Sequence, residues 1–236
     1  MLLQKFFSEE SGRIRIAPDQ GSRFAKQVAD DFNPLHNPDS KRFCVPGDLL
    51  FSIALSKLGL SERMCFTFTG MVGAGVELIF PVGAERVVDI TDDVGKTYLR
   101  VEREGRRSHD PVAIETLWRR YVAFSGHNFP DVLVPLMRER GLMINPNRPL
   151  VIYESMSLEL ESLELENPIL ELEHTEVKVE GKRAETFLHF RIDCSGRTVG
   201  SGFKKLIQGG LRAYDRAESD RLVEAYAGWK AAYKAA

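Results

Sequence analysis

Leu49, Leu50, Ile53, Ala54 and Leu58 make residues 47–58 apolar over a broad face, and Gly59 ends the run. A helix this apolar cannot lie on a surface; other elements must wrap it. Segments of strand character follow at 64–69, 76–80, 86–92, 97–102 and 111–124, with Val88, Ile90, Tyr98 and Arg100 alternating as in a sheet with one wet face. The arrangement then recurs. Residues 129–137 carry a proline, an acid and an apolar helix closed by Gly141, and strands are predicted at 150–165, 169–179, 184–194 and 198–208. Helix then sheet, twice, predicts an α+β protein of two tandem units, 1–125 and 126–236. Apolar parity shifts between Leu158-Leu160 and Leu163-Leu165, which predicts a bulge near Glu161-Ser162. Leu222, Tyr226 and Trp229 predict a C-terminal helix packed on the outside.

A formal charge of −2 over 236 residues gives no reason to expect nucleic acid. The segment from Met1 to Glu10 meets charge too early for a signal-peptide core, and no apolar run approaches the ~18 residues of a membrane span. Cys44, Cys65 and Cys194 are too scattered for a disulfide framework or a zinc knuckle. These features fit a soluble cytoplasmic protein. Gly70–Gly75 lacks the lysine of a nucleotide loop and reads as a turn. His174 and His189 fall in strand alternation like ordinary sheet residues.

Pro18 starts a helix whose Phe24, Val28 and Phe32 form one apolar face, and it leads into Asp31-Phe32-Asn33-Pro34-Leu35-His36. Pro34 fixes its own φ and pushes Asn33 out of the α region, so an acid and an imidazole are held across a rigid turn. Such a pair suits proton transfer to and from water. A plain Asx-type turn with His36 as an ordinary satisfied side chain explains the same residues.

Phe24 to His36, followed by Val45-Pro46-Gly47-Asp48-Leu49-Leu50 and then Leu78-Ile79-Phe80-Pro81-Val82-Gly83, resembles the R-specific enoyl-CoA hydratases, the MaoC-like dehydratases of the hotdog fold. The resemblance covers roughly residues 18–125 and implies a double hotdog, each unit a helix wrapped by an antiparallel sheet. It implies a 2-enoyl thioester substrate, commonly of coenzyme A, hydrated without metal or other cofactor. Asp31 and His36 would handle the water, Asn33 would fix the turn, and the Gly47 N–H would meet the thioester oxygen. The family's loop between the histidine and this glycine is several residues longer than 37–46 here, which leaves acyl-chain preference open. The family also carries a serine two turns into the helix; counting reaches Leu55, with Ser52 and Ser56 on either side as candidates. Asp48 reads as a cap of the first turn or, as in hotdog thioesterases, as an acid that activates water. The second unit has no copy of the motif; Ser125-Gly126-His127-Asn128 lacks an acid at the right spacing. It would supply the wall of one site between the halves. Pairing of hotdog proteins through sheet edges implies a homodimer. Two alternatives are a hotdog acyl-CoA thioesterase and a non-catalytic acyl-CoA-binding protein.

Overall fold

The computed structural model describes residues 2–81, 83 and 85–235. Met1, at the head of the segment weighed as a signal-peptide core, and Val82, inside the expected Leu78 to Gly83 element, lie outside them. A 3-10 turn at Leu3–Phe6 precedes the hairpin of β1 (Ser8–Glu10) and β2 (Arg13–Arg15). Helix α1 (Pro18–Gln27) begins on Pro18, and the Gln20 side chain accepts from the Ala17 N–H at 2.9 Å. After a short 3-10 turn at Pro34–His36 comes α2 (Gly47–Leu58), buried except at Gly47, Ser56 and Lys57. The first unit continues with β3 (Leu60–Phe68), β4 (Glu77–Ile79), β5 (Val87–Thr91) and β6 (Thr97–Ser108). Then come α3 (Pro111–Gly126), a π turn at Phe129–Leu133, α4 (Val134–Glu139) and β7 (Leu142–Met143). The long strands β8 (Val151–Leu160), β9 (Ile169–Glu180), β10 (Arg183–Cys194) and β11 (Arg197–Gly209) lead to β12 (Arg212–Ala213) and α5 (Arg216–Ala235).

Ten strands form one sheet in the order β1-β2-β4-β5-β6-β3-β8-β11-β10-β9, every neighbour antiparallel. Within it β3 pairs with β8, so the sheets of the two halves join edge to edge. Helices α2 and α3 lie on the same side. Phe51 of α2 packs on Phe66 of β3 at 5.0 Å and on Tyr121 of α3 at 4.7 Å, and Tyr121 reaches Phe190 of β10 at 5.8 Å. A smaller cluster sets Leu133, Met137 and Ile144 against Ala184, Leu188 and Leu206. The fold is an α+β double hotdog.

The segment 111–124, read from sequence as a strand, is helix α3. Asp110 accepts from the Val112 N–H at 3.0 Å and Pro111 takes the first helical position. Its buried residues, Ala113, Ile114, Leu117, Trp118, Tyr121, Val122 and Ser125, repeat at three and four, the period of a helix. β-Branched and aromatic content suggested a strand, but the Asp-Pro start and this spacing win. The parity shift near Glu161 also has another origin: β8 ends at Leu160, and Leu163 and Leu165 lie in the loop to β9.

At the end of α2, buried Arg103 donates to the carbonyls of Leu58 (2.6 Å), Gly83 (2.9 Å) and Glu85 (2.9 Å), satisfying a helix terminus that would otherwise be orphaned. No helix among the described residues is long and apolar enough to cross a membrane.

Candidate functional site

Helix α1 stops short of Phe32 because Asp30 adopts the left-handed conformation, φ +54°. Beyond it, local bonds fix the turn. Asp31 Oδ1 accepts from the Asn33 N–H at 2.9 Å, and Asn33 Oδ1 accepts from the Leu35 N–H at 3.1 Å. The short Pro34–His36 turn then swings the imidazole back. His36 Nδ1 donates to the Cys44 carbonyl at 2.7 Å; an acceptor there assigns a ring hydrogen to Nδ1, so that in the neutral imidazole Nε2 is the acceptor. Nε2 stands 3.6 Å from Asp31 Oδ2, beyond direct hydrogen-bond distance, with side-chain exposures of 12% and 26%. Two acceptors therefore face one small gap, open enough for water to reach.

A third group joins them from the far end of the chain. The Tyr226 hydroxyl of α5 donates to Asp31 Oδ1 at 3.3 Å and accepts from the Phe32 N–H at 2.9 Å. Burial, with the Asp31 charge alongside, pushes this phenol well above the ordinary tyrosine range, so it stays a donor. Helix α5 is held by more than this bond. Lys230 pairs with Asp30, Lys234 lies 3.3 Å from the same carboxylate, and Tyr226 and Tyr233 both pack edge-on to Phe32. The expected surface helix is also a wall of the site.

At the start of α2, Gly47 lies against the second unit: a Cβ there would come within 2.8 Å of the Tyr153 ring. Only glycine lets that ring sit on the first turn. Asp48 does not cap the helix as expected. Its carboxylate turns inward, Oδ2 accepting from Ser125 Oγ at 2.6 Å and Oδ1 lying 3.9 Å from Lys204 Nζ, while Lys204 itself donates to Ser125 Oγ. Asp48 and Lys204 are both buried, at 8% and 5% exposure. Burial pushes the Asp48 carboxyl above its usual range, with Lys204 and Ser125 pulling the other way, and drags the Lys204 ammonium below its own. Asp48 Oδ1 has no hydrogen-bond partner among the described residues. Lys204 also sits 4.2 Å over the Tyr153 ring, whose hydroxyl bonds that of Tyr121.

The fold thus brings Asp31, His36 and Asn33 into one turn, and both Asp31, which raises it, and His36, which lowers it, act as lesser influences on the Asp48 carboxyl. The two serines are elsewhere. Ser52 is fully buried, donating back to the Asp48 carbonyl at 2.7 Å, and Ser56 is on the exposed side of α2 beside Lys57. Sequence reading missed Tyr226, Ser125, Lys204 and the Cys44 carbonyl. Only Ser125 carried a signal, as an α3 residue in register with Tyr121 and Val122. Burial pushes the Cys44 thiol up to about 11, which removes it as a nucleophile near neutral pH. Between α1, Pro38 and Tyr233 opens a cleft of about 500 Å³ that carries Arg23 and Lys26.

Among solved structures the chain is similar to an acyl-CoA thioesterase II, TesB2, from Mycobacterium marinum, at 10% identity and TM-score 0.42, covering 92% of this chain and 99% of that one. It is similar to a conserved hot dog protein from Alicyclobacillus acidocaldarius, at 9% identity and TM-score 0.47, over 91% and 99%. A MaoC-like dehydratase aligns at 10% identity and TM-score 0.41 over 86% and 98%. No curated protein matches the sequence. The family model described as "Protein of unknown function (DUF3581)" matches residues 1–217, so the chain, a double hotdog with an acid–imidazole turn beside its first buried helix, belongs to the DUF3581 family.

Proposed function

We propose that the protein acts on acyl thioesters and adds water to, or removes it from, a 2-enoyl (3-hydroxyacyl) thioester, its acyl carrier being coenzyme A. The observation that carries this reading is the 3.6 Å gap between Asp31 Oδ2 and His36 Nε2, two acceptors suited to the two hydrogens of one water. The water oxygen bonds to C3 as Asp31 takes its proton, and the C2–C3 electron pair moves toward the thioester oxygen. The Gly47 N–H, at the positive end of α2, stabilises that oxygen. His36 orients the water through Nε2, and the proton held at the pair is returned to C2. The units 1–125 and 126–236 divide the work: the first supplies Asp31, His36, Asn33 and Gly47, the second the wall containing Tyr153. Arg23 and Lys26 in the neighbouring cleft suit the phosphates of the carrier.

A second reading is hydrolysis through Asp48, favoured by its inward carboxylate, whose Oδ1 accepts no hydrogen bond among the described residues. One experiment separates the two. Incubation with a panel of trans-2-enoyl-CoA and saturated acyl-CoA thioesters should give loss of enoyl absorbance without thiol release. Thiol release from both classes would favour Asp48 hydrolysis, and binding without any turnover would leave an acyl-CoA-binding protein.

A further inference from the structure

Strands β9 and β10 form the outer hairpin of the second unit, and their face turned away from the core carries a cluster that the chemistry above does not use. Ala184, Leu188 and Phe190 point inward and are buried, whereas Glu185, Phe187 and His189 point outward. The register sets His174 of β9 opposite His189 and Glu176 opposite Phe187, so His174, Glu176 and His189 share the outer face. The two imidazoles stack with centroids 4.2 Å apart and planes 5° from parallel. Glu176 Oε1 lies 3.4 Å from His189 Nε2 and 3.9 Å from His174 Nε2. One ligand atom from each residue lies within 4.8 Å of the other two. His189 Nε2 is shielded from solvent with no hydrogen-bond partner among the described residues. The β9–β10 register slips just after His189, an irregularity of the kind that re-aims a side chain.

We infer that His174, Glu176 and His189 bind a divalent transition-metal ion of the zinc class. A tetrahedral ion with ligands at ~2.0–2.1 Å sets its ligand atoms about 3.3 Å apart. The Glu176–His189 separation already meets this, and His174, 55% exposed, closes the rest by a side-chain rotation. Two imidazoles and one carboxylate suit zinc, cobalt, nickel or copper; calcium and magnesium prefer all-oxygen sites. Three protein ligands leave a position for water. Phe187 and Phe203, with centroids 6.3 and 6.0 Å from the His189 ring, form the apolar wall behind it. Because β9 is the last strand of the sheet, ligation across the pair would pin an edge strand to its neighbour.

The test is calorimetric titration of the chelator-treated full chain with zinc chloride, alongside the visible absorption of the cobalt(II) form. One equivalent is expected to bind, with a cobalt spectrum of tetrahedral type and no response to magnesium. His174→Ala and His189→Ala should each weaken zinc binding by more than the roughly 10- to 100-fold that follows loss of a group merely supporting a ligand. Glu176→Gln should weaken it too, whereas His127→Ala should not. All three ligands lie on the outer face, and far-UV circular dichroism checks that the variants fold. Absence of zinc binding in the wild-type chain, an octahedral cobalt spectrum, or affinity unchanged in His189→Ala would overturn the site and leave an ordinary ion pair.

Discussion

Asp31 and Tyr226, 195 positions apart, share a 3.3 Å hydrogen bond from the phenol of the last helix to the carboxylate of the acid–imidazole turn. The phenol fixes Oδ1, which leaves Oδ2 facing His36. Tyr226→Phe removes this donor and the acceptor of the Phe32 N–H. At about 0.5–1.5 kcal/mol for one hydrogen bond, kcat for enoyl thioester hydration should fall about 3- to 10-fold with KM little changed. Steady-state kinetics on the best substrate of the panel checks this; an unchanged kcat removes the positioning role.

The pair itself should matter far more. Asp31→Asn cannot take a proton, and His36→Ala loses the second acceptor. Each should lower kcat by about 10²- to 10⁴-fold while leaving the thermal midpoint near the wild-type value. Full activity in either variant would eliminate the hydration mechanism.

Asp48 and Lys204 are a buried pair, so removing one partner should be worse than removing both. Lys204→Met leaves a carboxylate in the core and should destabilise by about 3–5 kcal/mol; Asp48→Leu combined with Lys204→Met should recover most of the loss. The pH dependence has a definite sign. Burial raises the Asp48 carboxyl above its ordinary 3.8, so above that pH the folded state binds more protons than the unfolded. Stability from this group therefore falls as pH rises through the window, and Lys204→Met, which removes the opposing cation, should be more stable in mild acid than at neutrality. Urea melts across pH distinguish these outcomes.

Docking of α5 should fail in the opposite direction. Burial pushes the Asp30 carboxyl up, but the ammonium groups of Lys230 and Lys234 outweigh it and hold the group below 3.8. A depressed acid contributes stability above its unfolded value and loses it as pH falls through the folded one. Below about pH 3.8, amides of α5 should exchange faster than those of α3, and Asp30→Asn should show that faster exchange already at neutral pH. Equal protection in the variant would show that Phe32, Tyr226 and Tyr233 alone hold the helix.

Gly126 tests the junction of α1 and α3. A Cβ there would fall 1.4 Å from the Ala29 carbonyl oxygen, a backbone atom that no rotamer can move. Gly126→Ala should destabilise by at least about 1–3 kcal/mol, the usual range for overpacking, and should also disturb Asp31, two residues beyond Ala29. A thermal melt with the hydration assay reads both.

Period and punctuation in the sequence determined much of this protein. Gly47–Leu58 could only be a wrapped helix because its apolar residues cover a broad face, and eight of the nine predicted strands follow from alternation between turn residues. Pro34 and Asn33 fixed a turn holding Asp31 and His36 because the restraints act within three residues. The exception was 111–124, where helical spacing lay under strand-like composition. What tertiary structure alone decided are the partners: Tyr226 on Asp31, Ser125 and Lys204 on Asp48, and His189 opposite His174. Local periodicity sets which face of an element is buried. It does not set which distant element comes to cover that face, because this depends on sheet order and register, and those follow from closing the whole core at once.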